Sequence, residues 1–125
     1  MSKTAALRKL VREQMQTVQG ETYHRFAPPT AHFPYKTFTL TDVSFLEDRD
    51  DVLMEVDIWD QNPSRDPKTA EEIADQVERL FAAANLPQPP IYPTFYRDAR
   101  YTMDDPDKTM QHIQLRFLVQ LYKEE

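Results

Sequence analysis

Three histidines, a surplus of carboxylates and a few hydroxyls are the side chains that could carry chemistry in this sequence. His24, His32 and His112 could bind a metal or move a proton near neutral pH. No two of them stand at the i, i+4 spacing that sets paired imidazoles on one helix face. Each is therefore read as solvated or locally bonded. Asp57 and Asp60 are close enough in sequence to suggest an acid–base pair, but spacing alone does not bring them into one cleft. Asp104, Asp105 and Asp107 resemble the start of a calcium loop, yet Pro106 interrupts them. The glycine and the distal bidentate glutamate of such a loop are also missing, so the segment reads as a turn. Glu47, Asp48, Asp50 and Asp51 could hold a divalent cation, although clustered like charges more commonly stay in water. Ser2, Ser44 and Ser64 lack the glycine-flanked turn that exposes a hydrolase nucleophile. Tyr92, Phe95, Tyr96 and Tyr101 could line a pocket, and at strand spacing they read first as packing residues. The sequence therefore points to no catalytic residues, no metal site and no cofactor.

Composition narrows the classes further. The chain of 125 residues has no cysteine, which removes disulfides, thiolate metal sites and cysteine nucleophiles. It has one glycine, Gly20, whereas phosphate-cradling loops need several for close backbone approach. P-loop and dinucleotide-binding enzymes are excluded on that ground. The net charge of −6 and pI near 5.0 oppose stable binding to a phosphate backbone. The basic residues look scattered: Arg8, Lys9 and Arg12 together, then Arg97 and Arg100, then Arg116. No apolar run approaches the ~20 residues that span a bilayer. The expectation is one domain over residues 1–125 in a reducing, intracellular compartment, without a membrane partner.

The elements that must position these side chains follow from periodicity. Residues 2–18 read as a helix, with Leu7, Leu10, Val11, Met15 and Val18 on one stripe and Gly20 just beyond its end. Residues 21–35 contain Pro28, Pro29 and Pro34 among aromatics and read as an ordered, irregular connection. Residues 36–43 and 52–60 alternate with period two, as half-buried strands do. In the second of these, Met54, Val56 and Ile58 oppose Glu55, Asp57 and Trp59. Residues 44–51 between them read as a long acidic hairpin tip. Asp66 before Pro67 signals the start of a second helix, with Ile73, Val77, Leu80, Phe81 and Ala84 as its stripe, ended by Asn85, Pro87, Pro89 and Pro90. A second hairpin closes the chain. Phe95, Arg97, Ala99, Tyr101 and Met103 alternate with Tyr96, Asp98, Arg100 and Thr102, and the return strand carries Ile113, Leu115, Phe117, Val119 and Leu121. The expected fold is α+β, a four-stranded antiparallel sheet with two helices on one face, in the order α-β-β-α-β-β.

Several stretches resemble the tail-completion, or tail terminator, family of long-tailed bacteriophages and prophages. These are Phe33-Pro34-Tyr35 before the opening strand, the segment Leu53-Met54-Glu55-Val56-Asp57-Ile58-Trp59-Asp60, and Ala74-Asp75-Gln76-Val77 in the second helix. Arg100, Asp105-Pro106-Asp107 and the strand from His112 to Arg116 and Phe117 complete the pattern over nearly the whole chain. Glycine is scarcer than in that family's pattern. The resemblance implies a structural subunit of a six-membered ring on the tail tube, which stops tube polymerisation and docks the head. It implies the tube protein and a head-completion protein as partners, with DNA passing through unbound. The protein would occupy the host cytoplasm during assembly and then the virion. A related head-completion or stopper protein is the neighbouring alternative, and a small metal- or ligand-dependent enzyme the more distant one. For a ring subunit, the expected contact residues are Trp59, on the face away from the helices, and the hairpin tip with Phe45, Leu46, Glu47, Asp48, Asp50 and Asp51.

Overall fold

The computed structural model describes residues 3–45, 49–82 and 91–123. The elements run α1 (Lys3–Met15), β1 (Glu21–His24), β2 (Tyr35–Phe45), β3 (Arg49–Gln61), α2 (Lys68–Phe81), β4 (Ile91–Met103) and β5 (Met110–Lys123). The strands form one sheet in the order β1-β2-β3-β5-β4. β1 lies parallel to β2, and every other pairing is antiparallel.

The strongest sequence patterns become the centre of the molecule. Along β3, Val52, Met54, Val56 and Ile58 are buried while the residues between them are half-buried. Its neighbour β5 buries Ile113, Leu115, Phe117, Val119 and Leu121 on the same side. Both helices cover that side. α1 contributes Ala6, Leu7, Leu10, Val11 and Met15, and α2 contributes Ala70, Ile73, Ala74, Val77 and Phe81. Phe81 packs on Phe95 and Phe117 with ring centroids 4.8 and 5.7 Å apart. Each such side chain withdrawn from water stabilises the fold by roughly 1.5–3 kcal/mol before entropy is counted.

The expected α+β class holds, but the sheet has five strands and is mixed. Residues 21–24, read as part of an irregular connection, form β1. Its four residues are too few for a periodic signal, although Thr22 and Tyr23 suit a pleated strand. Two left-handed residues bracket it, Gly20 at φ 94° and Arg25 at φ 73°. A Cβ on Gly20 would lie 3.0 Å from the Pro34 carbonyl oxygen, so glycine is required at this turn. Gly20 does not cap α1, which ends at Met15. Lys36, fully buried on β2, holds the turn that follows the helix. Its Nζ donates to the carbonyls of Val18, Gln19 and Gly20 at 3.1, 2.7 and 2.7 Å. Burial lowers its pKa to about 8, while three acceptors near a helix C-terminus favour the cation.

Two further expectations change. Residues 44, 45 and 49–51 are strand and not hairpin tip, because β2 runs to Phe45 and β3 starts at Arg49, with Phe45 paired to Asp50. Leu46, Glu47 and Asp48 lie outside the described residues, as do Ala84 and the proline-rich stretch after α2. In β4 the regular alternation breaks at a bulge between Arg97 and Ala99. The extra residue returns Arg100 to the helix side. Arg97 and Arg100 both reach Glu78 of α2, and Arg100 also bonds Asp75 at 2.8 Å. At α2's start the expectation holds, since the Asp66 carboxylate accepts from the Lys68 amide at 3.0 Å.

Candidate functional site

Both helices pack on one side, and among the described residues no helix covers the other side of the sheet. Its side chains lie in rows set by the strand register. One row runs Tyr35–Trp59–His112–Met103 and the next Thr37–Asp57–Gln114–Tyr101. Further along stand Thr39–Glu55–Arg116–Ala99 and then Thr41–Leu53–Leu118–Tyr96. Tyr92, Tyr96, Tyr101, Met103 and Tyr122 are exposed there. An open face this rich in large apolar surface is the kind that marks an interaction site.

Its most ordered part is the row through Trp59. The indole stacks on the His112 ring at 3.5 Å between centroids, with Tyr35 at 6.5 Å on its other neighbour strand. Phe33 and Tyr23 continue the aromatic run around Tyr35 at 5.2 and 6.2 Å. Burial pushes the Tyr35 phenol's pKa up. The Asp57 Oδ1 lies 2.7 Å from His112 Nε2 and accepts from Gln114 Nε2 at 3.2 Å. Trp59, Tyr35, Thr37, Asp57 and His112 share a shallow cavity of about 420 Å³ with Arg25, Phe26 and Ala27.

An Asp–His pair invites comparison with a catalytic dyad. Such a pair orients the imidazole so that its second nitrogen can activate a nucleophile. Here the second nitrogen has no hydrogen-bond partner among the described residues, and the indole covers the ring face. The arrangement can hold β3 to β5 and present a flat aromatic surface. Asp57 and Asp60 point to opposite faces, since successive strand residues alternate. Asp60 lies buried on the helix side, where desolvation raises its pKa. Asp105 and Asp107 make the expected turn, bonding the amides of Asp107 and Thr109 at 2.9 Å each. His24 packs against Phe38, and the backbone amide of His32 donates to Glu21. Among the described residues no group of three histidine, cysteine or acidic side chains is placed to hold a metal.

Of the expected contact residues, Trp59 stands where the alternation put it, half-buried on the open face. Leu46, Glu47 and Asp48 lie outside the described residues, and the other two carboxylates, Asp50 and Asp51, are residues of β3. Asp50 is buried and ion-paired with Lys3 of α1, and Asp51 lies half-buried 3.1 Å from Arg49. Neighbouring strand residues face opposite ways, so these two carboxylates serve different sides of the sheet. Sequence reading missed the partners of Trp59, which come from β2 and β5. It also treated Arg8 and Arg12 as scattered charges. At i, i+4 they share a helix face, and the fold brings both toward His24 and Arg25. There burial first, and then the three guanidiniums, lower the His24 pKa.

No family model and no curated protein matches the sequence. Among solved structures, a chain of the virion of a native gene transfer agent particle is similar at TM-score 0.66 and 14% identity. That alignment covers 95% of this chain and 90% of the other. A second solved chain, whose name states no role, matches at TM-score 0.70 and 14% identity over 100% of this chain and 99% of its own. Likeness at this identity establishes a shared fold over essentially the whole length, and that fold occurs in the virion of a gene transfer agent particle.

Proposed function

We propose that this chain is a structural subunit of a phage or phage-like particle, a tail-completion subunit that works as a ring at the head-proximal end of the tail tube. The observation that carries the reading is the open sheet face around Trp59, where large aromatic and apolar side chains stand exposed beside the stacked Trp59–His112 pair. Whole-length likeness of fold to a virion component of a gene transfer agent particle supports it, as does the resemblance of residues 33–35, 53–60 and 74–77 to tail-completion proteins. The ring would be six-membered, would end tube polymerisation, and would join the tube protein to a head-completion protein. DNA would pass through it without stable binding, as suits an acidic chain. The subunit acts through its interfaces and not as an enzyme. It works first in the host cytoplasm and then in the virion, and among the described residues no helix is long and apolar enough to cross a membrane. Electron microscopy of particles made without this chain tests the reading. It expects overlong tails or tails without heads. Normal tails with unjoined heads would instead assign the chain to the head-completion side of the joint.

A further inference from the structure

The two edges of the sheet differ in charge. Residues 1–27 carry five lysines and arginines against two acidic side chains, in a chain of net charge −6. Three of these cations, Arg8, Arg12 and Arg25, surround His24 of β1, while Lys3 is paired with Asp50 of β3. β1 covers β2 only from Tyr35 to Phe38, and the left-handed Arg25 then turns the chain away. Beyond that point a cleft of about 450 Å³ opens between α1 and β2, lined by Thr4, Arg8, His24, Arg25, Thr39 and Thr41 among others. Arg8, Arg12 and Arg25 have no carboxylate partner among the described residues.

At the opposite edge, β4 presents the reverse pattern. Arg97 and Arg100 are already engaged by Glu78 and Asp75. Asp98 at the bulge and Asp104 just past the strand are exposed and have no cationic partner among the described residues. The register aligns the two edges. Thr39 in the cleft, Glu55, Arg116 and Ala99 form one row across β2, β3, β5 and β4. Asp98 therefore sits level with the cleft, on the far side of the same sheet.

We propose that the cationic cleft of one subunit receives the β4 edge of a second copy, with Arg8 and Arg25 facing Asp98 and Asp104. The proposal rests on the ring reading above and names the surfaces that close the ring. A contact between two different edges of one chain is heterologous, and it makes a ring when its repeated rotation completes a full turn. Complementary charge sets which edges meet and in what register, and added salt weakens the contact.

The test uses two charge-reversed chains, Arg8→Glu with Arg25→Glu, and Asp98→Arg with Asp104→Arg. All four positions are exposed or half-buried, so circular dichroism and melting close to wild type are expected and are checked first. Association is followed by native mass spectrometry and sedimentation at high concentration and low salt, and on purified tails. Wild type closes into rings, and each reversed chain alone associates at least tenfold more weakly. An equimolar mixture restores closed, even-numbered species, because every contact in an alternating ring is again complementary. Rings that form equally well from either reversed chain alone overturn the proposal while leaving the ring reading intact. Wild type that self-associates neither in solution nor on tails overturns both. Loss of duplex DNA binding in the Arg8→Glu, Arg25→Glu chain with unchanged assembly also overturns it, and assigns the cleft to phosphate.

Discussion

The two faces of the sheet come from the same strands and obey different rules. On the helix side, Met54, Val56 and Ile58 of β3 meet Leu115 and Phe117 of β5 and the stripes of both helices, all essentially without exposure. On the open side, the residues between them are tryptophan, tyrosines, threonines, a histidine and charges, and most remain half-buried or exposed. Burial dictates residue type where water is excluded. Where the face stays open, the sequence is freed from packing and can carry recognition. The period of two lets one strand serve both demands at once.

Substitutions can break this contrast in order of expected effect. Phe117→Ala removes a ring from the covered face, where it meets Phe81, and should cost about 3–5 kcal/mol in urea unfolding. Lys36→Met keeps the apolar stem and leaves three carbonyls without their donor, for a loss of about 3 kcal/mol. The pH dependence sharpens that case. The folded pKa of Lys36 is lowered from 10.5 to about 8. The unfolded chain therefore binds more protons between those values, and stability contributed by this group rises with pH across that window. Wild type should gain on Lys36→Met from pH 8 toward 10, as read by paired melting curves. Gly20→Ala should cost about 1–2 kcal/mol, because alanine resists positive φ and its methyl would press on the Pro34 carbonyl. The smallest loss of stability belongs to Tyr101→Ala on the open face, within about 0.5 kcal/mol by chemical denaturation.

How much of this was readable beforehand depended on whether the determining contacts were local. β3, β5 and α2 show their burial as periodicity within a few residues, and they appear where the pattern put them. The resemblance carried by residues 53–60 falls on β3, the central strand. β1 was hidden because four residues hold no period, and its identity as a strand depends on pairing with β2. The burial of Lys36 carries no sequence signal, because its partners are backbone carbonyls that no side-chain pattern announces. The bulge at Asp98 was invisible for a related reason, since the pull that favours it comes from Glu78 and Asp75 on α2. The candidate site shows the same division. Trp59 was placed by alternation, but its histidine neighbour lies on β5 and its tyrosine neighbour on β2. Asp50 was misjudged as a loop charge, because acidic residues at a strand start resemble a tip until Lys3 is seen beside them.

On the proposed reading, the open face, with Trp59 at its ordered end, serves contact with other virion subunits and not the stability of the chain. Trp59→Ala tests it most directly, with melting of the purified chain and electron microscopy of particles assembled with it measured together. The expected result is a loss of no more than about 2 kcal/mol, below that of a large core truncation, together with overlong tails or tails that fail to join heads. A loss of several kcal/mol would make Trp59 a core residue, and normal, infectious particles would show that the face is not the contact surface.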